Sequence, residues 1–320
     1  MIDRNISKQD AYVLKEIKKG DKIPIISDTM FQAMINNEKR KKYAAYLVSL
    51  VLQVKYQEVY NNLIFMKERL DKEKELEKGK TVDFVCKINE EIIGIEMNNN
   101  SKVKPMLERN ISYAADLYKS NLNKGRVYHY NKVIQININN FSFKDNNEVI
   151  ERYMIRNEKG EIFTDKLEFI HIYLPNIKKK RYNKLNKLEK LLLVFNEDTN
   201  KSKALAKGDG IMEEFIKDAV EASDEDEIIG LYDKELHLEK LRLSELELER
   251  EEARAEGLKE GKEEGIKQGI EEGIKEGIKE GIKESTINIA KNMLTKGLST
   301  DLIVELTGIS SEDLSSISLD

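Results

Sequence analysis

Apolar and polar residues alternate between positions 81 and 98 in a pattern that predicts a β-hairpin. Two extended segments, 81–88 and 91–98, flank Asn89-Glu90, which suits a two-residue turn. One face of this hairpin is wholly apolar and is expected in the core, because a half-buried strand alternates strictly. That face consists of Val82, Phe84, Cys86, Ile88, Ile93, Ile95 and Met97. The opposite face consists of Asp83, Val85, Lys87, Ile92, Gly94, Glu96 and Asn98.

Helical periodicity dominates the chain on both sides of this hairpin. It predicts helices across 28–66 and 101–122, and again across 188–230 with a break at Gly208-Asp209-Gly210. Further strands are predicted from VIQININNF (133–141) and EFIHIYL (168–174). Strands that alternate with helices predict one α/β domain over residues 21–230, preceded by an N-terminal extension of residues 1–20.

A glycine repeat distinguishes residues 231–285, which are predicted to form a charged helical tail. Glycine recurs every fourth residue from Gly257 to Gly281, and the repeat ends as Gly-Ile-Lys-Glu. Each glycine costs about 1 kcal/mol in a helix relative to alanine, whereas pairs such as Glu272–Lys275 favour the helix. Glycines four apart also let a second backbone approach closely, so a self-association helix is favoured. A flexible charged spacer is the alternative.

A three-helix module is predicted at residues 286–320. Its helices cover 286–296, 301–307 and 312–317, and Gly297 and Gly308 end the first two. Short helices joined by tight turns resemble a helix-turn-helix. However, positions 301–320 contain five acidic residues and no Lys or Arg, whereas DNA binding depends on basic residues. A plain helical cap on the tail is therefore favoured.

Charge is distributed unevenly along the chain. Residues 1–200 hold 37 Lys+Arg against 28 Asp+Glu, and residues 201–320 hold 17 against 31. The basic part is a mild indication of a nucleic-acid partner. The densest basic segment begins with Lys178, Lys179, Lys180 and Arg181. It could contact a DNA backbone or serve as a solvated linker.

Cysteine content and hydropathy limit the classes of protein to which this chain can belong. The single cysteine excludes a disulfide framework and a cysteine-based zinc site. We expect a cytoplasmic protein without a membrane partner, because no apolar leader is visible and the longest apolar stretch, 43–54, is too short to cross a bilayer. Cys86 lies on the core face and is predicted to serve in packing. His171, in an apolar strand, is predicted to be a structural histidine.

The hairpin carries the candidate chemistry. With a two-residue turn, Asp83 falls directly opposite Glu96, with Cβ atoms about 4.5–5.5 Å apart. Facing carboxylates repel each other unless a divalent cation lies between them, and hard oxygen ligands suit Mg²⁺ or Mn²⁺. Such a cation could activate a water and stabilise a departing oxygen, as phosphodiester hydrolysis requires. The alternative is an ordinary pair of acids on a solvated face.

The order of motifs resembles the recombination-promoting nuclease/transposase family of the PD-(D/E)xK superfamily. The motifs are SDTMFQAMI (27–35), VDFVCKI (82–88), IIGIEMN (92–98), ERNISYAADLY (108–118), GRVYHYNKVIQINI (125–138), FIHIYLPNI (169–177) and IAKNMLTKGLSTDLIVELTGIS (289–310). The resemblance covers nearly the whole chain. It implies a restriction-endonuclease-like core in residues 21–230, Mg²⁺-dependent DNA endonuclease activity, and a role in recombination or a mobile element.

The resemblance also implies roles for individual residues. Asp83 and Glu96 would bind the metal, with the Met97 carbonyl as a third ligand. Asp28 would be an auxiliary acid from the first helix. The remaining two auxiliary residues, Arg109 and Tyr113, would face the active site or a phosphate.

One position departs from the family pattern. The third motif residue, lysine in the superfamily and often glutamine in this family, is Asn98. Asparagine can hydrogen-bond a water but supplies no charge. Lys102 and Lys104, which follow it, are candidates for the missing charge and for DNA binding. A degenerate nuclease fold that binds DNA without cutting it, or an oligomeric scaffold built on the tail, therefore remains the alternative to an active enzyme.

Overall fold

The computed structural model describes residues 17, 20–66, 82–99, 103–120, 130–142 and 146–317. Nearly all of the predicted N-terminal extension (1–20), and Lys102, lie outside the described residues. Contacts divide the chain into two units, residues 1–243 and residues 244–320.

A six-stranded mixed sheet forms the centre of the first unit, with the order β1-β2-β3-β4-β6-β5. Its strands are β1 Leu63–Phe65, β2 Phe84–Ile88, β3 Glu91–Asn98, β4 Lys132–Asn139, β5 Ile150–Arg156 and β6 Ile162–Tyr173. Strands β3, β4 and β6 are parallel to one another, and the other neighbouring pairs are antiparallel. The carboxyl ends of the three parallel strands therefore meet at one edge of the sheet.

Helices cover both faces of this sheet. They are α1 Asp28–Met34, α2 Lys41–Leu52, α3 Tyr56–Asn62, α4 Val103–Ser120, α5 Leu174–Lys178, α6 Lys187–Val194, α7 Thr199–Ala206, α8 Gly210–Ser223 and the beginning of α9 Asp226–Thr295, with 3-10 turns at Glu38–Arg40 and Tyr182–Lys184. The main core joins one sheet face to helices that include α1, α2, α6 and α8. Helix α4 covers a smaller apolar cluster on the other face. The predicted α/β class is therefore observed.

The predicted hairpin is confirmed in its register. Strands β2 and β3 pair from Phe84 opposite Ile95 to Ile88 opposite Glu91, and Asn89 in the turn has a positive φ of 52°. The predicted core face lies in the main core with one exception. Val82 packs in the smaller cluster under α4, because the chain bends before β2 begins and the alternation does not extend that far.

Two edge strands differ from the prediction. Strand β1 lies in a segment predicted to be helical, and β5 was not predicted at all. All seven residues of β5 are exposed or only partly buried. Strand β5 therefore packs on little of the core, and its sequence needs no clear alternation. Strand β1 contributes Leu63 to the main core but has only three residues, too few to show a pattern.

Replacing Gly94 with alanine is expected to lower the free energy of unfolding by about 1–3 kcal/mol. A Cβ at this position would lie 2.6 Å from Gln135 Oε1 and 3.0 Å from Leu117 Cδ1. Gln135 is fully buried, so it cannot swing aside without disturbing its surroundings. Urea unfolding measures the change, and unchanged stability would show that α4 does not depend on this close approach.

Gly230→Ala is the matched control for this substitution. A Cβ at Gly230 would meet no described atom within 4 Å. Alanine in an exposed helical position is expected to stabilise by up to about 1 kcal/mol, the opposite sign.

The second unit consists of the rest of α9 and two short helices, α10 Thr300–Thr307 and α11 Ser311–Ser315. Helix α9 continues through all the repeat glycines and ends before Gly297, so the predicted first helix of the module is the end of α9. Gly297 and Gly308 have positive φ values of 81° and 68°, as helix-ending glycines require. A small core of Ala290, Ile303, Ile309 and Leu314 holds the module together. Within the described residues, no helix has the length and apolar character needed to span a membrane.

Candidate active site

The two predicted acids lie side by side at the start of the hairpin. The Asp83 backbone N–H donates to Glu96 Oε1 at 3.0 Å, and the Met97 N–H donates to Asp83 Oδ2 at 2.8 Å. The carboxylate of each acid is thus fixed to the backbone of the opposite strand. Glu96 is only 3% exposed, whereas Asp83 is half-buried. Both carboxylates therefore reach one small region at the surface end of a buried strand pair.

Helix α1 and the residues just before and after it hold this region in place. The side chains of Gln32 and Asn36 donate to the Asp83 carbonyl oxygen at 2.8 and 3.1 Å. Asn99, just after β3, donates to the Ile26 carbonyl oxygen at 2.6 Å. Sequence analysis missed Gln32 and Asn36, although their spacing of four residues places two carboxamides on one helical face.

The third motif residue is enclosed by hydrogen bonds. Asn98 is 2% exposed. Its Oδ1 accepts a 2.8 Å hydrogen bond from Arg109 Nη2, and its Nδ2 donates to Asn139 Oδ1 at 3.1 Å. The same Arg109 nitrogen lies 3.6 Å from Glu96 Oε2. The structure thus brings Asn98 and Arg109 together with the acid pair.

Tyr113 supports Arg109 from the next turn of α4. The Arg109 guanidinium carbon lies 5.7 Å from the centre of the Tyr113 ring, a distance at which the ring face attracts a cation. Tyr113 is buried in the apolar cluster under α4. Tyr113 therefore lies beside the site and supports Arg109 with its ring.

A row of buried polar side chains extends from Asn98 across the sheet. Asn139 and Asn137, which follow in β4, lie 3.4 and 3.3 Å from the two ring nitrogens of His171 on β6. Burial lowers the pKa of His171 to about 4, so the ring is neutral at pH 7. Sequence analysis did not single out the two asparagines, although alternating asparagines in an apolar strand were the available signal. His171 is buried among these partners, as a structural histidine would be.

Asp28 and Glu235 bring two more carboxylates close to Arg109. Glu235, on α9, accepts hydrogen bonds from the Asp28 and Thr29 backbone N–H groups and from the Thr29 hydroxyl, at 2.9, 3.1 and 2.8 Å. Desolvation of its carboxyl group raises the pKa of Asp28 to about 6 although the residue is exposed overall, Glu235 adds to the rise, and Arg109 opposes it. The predicted auxiliary acid thus lies within the electrostatic reach of Arg109.

Asp28→Asn is expected to increase the free energy of unfolding of the protein at pH 7–8 relative to wild type. A carboxyl group whose pKa is higher in the folded than in the unfolded state stabilises the fold while it is protonated. This contribution is lost as the pH rises from about 4 through about 6. The difference between variant and wild type should therefore vanish near pH 4. Urea unfolding at pH 4, 6 and 8 checks this, with Asp226→Asn as the control for an acid in the first turn of a helix.

The predicted basic residues are only partly available for DNA. Lys180 forms a 2.6 Å ion pair with the buried Glu189, and Lys179 donates to Asn176 Oδ1 at 2.9 Å. Lys178 and Arg181 are exposed. This segment follows β6, whose carboxyl end lies at the same sheet edge as Asn98. Lys104 lies in the first turn of α4.

Comparisons with known proteins agree with this architecture. The family model described as PD-(D/E)XK nuclease family transposase matches residues 25–247. A second model, described as the C-terminal HTH domain of the Rpn/YhgA-like nuclease family, matches residues 283–319. The comparisons with curated proteins and with solved structures gave no match.

The second match corrects one interpretation of the sequence. Residues 283–319 belong to a helix-turn-helix domain, so the preference for a plain helical cap was wrong. The low content of basic residues misled that prediction, because it bears on DNA affinity and does not decide the fold. The first match covers more than two thirds of the chain and includes the hairpin, α4 and the polar strands. By these matches the chain belongs to the PD-(D/E)XK nuclease family transposases and carries the C-terminal HTH domain of the Rpn/YhgA-like nucleases.

Proposed function

We propose that this protein is a DNA endonuclease that uses Mg²⁺ or Mn²⁺ and acts in recombination or in the movement of a mobile element. The observation that carries this proposal is the pairing of Asp83 with Glu96 across the β2–β3 hairpin. Membership in a nuclease family of transposases supports the link to mobile elements.

The donor set around the acid pair fits a hard divalent cation. Within the described part of the chain, no group of three His, Cys, Asp or Glu side chains could hold a metal. Mg²⁺ does not require such a group, because it commonly binds one or two carboxylates and completes its shell with waters and substrate phosphates. Asp83 and Glu96 would hold the cation, with the Met97 carbonyl as a third donor. When bound, the cation would lower the pKa of a water and offset phosphate charge.

The protein's own residues would orient the DNA strand at this position. The half-exposed Arg109 guanidinium can donate to a phosphate oxygen, since it presents several N–H groups in a planar fork. Asn98, which is itself hydrogen-bonded to Asn139, fixes the position of that guanidinium. Lys178 and Arg181 would contact the backbone further along, and the HTH domain would supply a second DNA contact.

Plasmid nicking tests this proposal directly. We expect the full-length protein to convert supercoiled plasmid to open circles with Mg²⁺ or Mn²⁺ and not with EDTA. Salt-sensitive DNA binding without any product would instead favour a degenerate nuclease fold that only holds DNA. If the protein neither binds nor cleaves DNA, the helical tail would be the functional part, as in an oligomeric scaffold.

Self-association through α9 is part of the proposal. Five isoleucines, each between 54% and 63% exposed, follow the repeat glycines on the same helix. These are Ile266, Ile270, Ile274, Ile278 and Ile282. A Cβ at any repeat glycine would meet no described atom within 4 Å. A second copy of this helix would cover the isoleucines, and the glycines would let the two backbones come close.

A further inference from the structure

We infer that Arg109 supplies, from α4, the positive charge that the third motif position lacks, and that Asn98 serves to hold it there. The inference rests on the proposed nuclease function. It also replaces the earlier expectation that Lys102 or Lys104 provides this charge, because the described residues already place a cation beside the acids.

The position of Arg109 carries the inference. Its Nη2 lies 2.8 Å from Asn98 Oδ1 and 3.6 Å from Glu96 Oε2. A lysine at position 98 would extend from the same Cα atom, on the same face of β3. The shorter Asn98 side chain, extended by one hydrogen bond to Arg109, reaches about as far from the strand. The guanidinium therefore occupies the region that a lysine ammonium would fill.

The surroundings of Asn98 assign it a supporting role. Its carboxamide is engaged on both sides, with Arg109 at the oxygen and Asn139 at the nitrogen. A carboxamide used in this way is poorly placed to orient a water. Asn139 is itself fully buried and lies beside His171, so the chain of contacts is rigidly held. Asn98 is thus a positioning residue for the guanidinium.

The exposure of Arg109 suits a residue that meets a substrate. Its side chain is 44% exposed, whereas Glu96 and Asn98 are almost completely buried. One nitrogen of the guanidinium lies beside the buried Glu96 and Asn98, and the Tyr113 ring packs nearby, while the exposed part reaches solvent. A guanidinium carries a positive charge and several N–H donors, so Arg109 would contribute charge and hydrogen bonds to a phosphate.

Substitutions that move the positive charge from position 109 to position 98 test this inference. The set comprises wild type, Arg109→Ala, Asn98→Lys, the double variant, and Lys119→Ala, which removes an exposed cation from the same helix. We expect Arg109→Ala to lower the Mg²⁺-dependent cleavage rate about 100-fold, as loss of one electrostatic donor does. The double variant should recover at least about 10-fold of that loss. Asn98→Lys alone should not exceed wild type, because two cations would crowd the site.

A second readout does not depend on cleavage. In the absence of DNA, Arg109→Ala should bind Mn²⁺ severalfold more tightly than wild type, because a cation 3.6 Å from Glu96 opposes metal binding. The decrease of the free-ion EPR signal measures this binding. Lys119→Ala should match wild type in both assays. Thermal unfolding shows which variants retain the fold.

The outcomes separate this inference from the proposed function. If Arg109→Ala cleaves DNA as fast as wild type, the role of Arg109 is overturned and the nuclease proposal stands. The same holds if the folded double variant is no faster than Arg109→Ala. Cleavage by Asn98→Lys but not by wild type would also overturn that role, since the charge would then be missing in the native site. If no variant cleaves, the nuclease proposal fails, and Mn²⁺ affinity decides: tighter binding by Arg109→Ala supports the placement of the guanidinium, and equal binding overturns it.

Discussion

Asp83→Asn and Glu96→Gln are each expected to reduce metal-dependent DNA cleavage by at least about 1,000-fold. A correctly placed divalent cation contributes several kcal/mol to hydrolysis of a phosphodiester, and every 1.36 kcal/mol corresponds to tenfold in rate. Both acids contribute negative charge to one site, so neither can replace the other. The amide substitutions keep a hydrogen-bond acceptor for the backbone N–H groups that the carboxylates now bind.

The measurement is the rate of nicking of supercoiled plasmid at saturating Mg²⁺ and, separately, Mn²⁺. Glu90→Gln is the matched control, because Glu90 belongs to the same hairpin, is 74% exposed and pairs only loosely with Lys87 at 3.9 Å. Its cleavage rate should equal that of wild type. Cleavage that persists in both acid variants would assign the reaction to another site or to a contaminating nuclease.

Replacing Ile270, Ile274 and Ile278 together with glutamine is expected to weaken self-association by at least about 100-fold. Each buried isoleucine contributes roughly 1.5–3 kcal/mol relative to an exposed one, so three per copy dominate a helix interface. Glutamine has a slightly higher helix propensity than isoleucine, so α9 should persist. Sedimentation velocity over a range of concentrations measures the change.

The control for this triple variant lies on the opposite side of the same helix. Glu272, Glu276 and Glu280 follow the three isoleucines by two residues, which places them roughly 200° around the helix. All three are exposed. Their replacement by glutamine should leave the association constant within a few-fold of wild type. A wild-type protein that sediments as a monomer at all concentrations would refute self-association through the tail.

The hairpin could be predicted from sequence because its determinants are local. Strict alternation fixes the face of each residue, and a two-residue turn fixes the register, so Asp83 and Glu96 could be placed opposite each other. The observed register agrees. The same reasoning failed at Val82, where the chain bends, and at β5, which buries little apolar surface. It also failed at β1, whose three residues are too few to show a pattern.

The surroundings of the acid pair depended on contacts between distant segments. No local rule brings Arg109 to Asn98 or Asn139 to its other side, although the family resemblance did indicate Arg109. Gln32 and Asn36 reach Asp83 across 51 and 47 residues of sequence. Such contacts arise from the packing of α1 and α4 against the sheet, which residue spacing alone does not specify.

The hydrogen bonds of Glu235 define where an isolated nuclease domain can end. Sequence analysis placed the end of the domain at residue 230, but Glu235 caps the amino end of α1, and Tyr232 is only 3% exposed in the main core. A fragment that stops at 230 would leave the first N–H groups of α1 without their acceptor and open the core beside it. The shortest autonomous fragment should therefore extend beyond Glu235, and a cut near residue 243, where the first unit ends, would preserve the helix that holds Asp83.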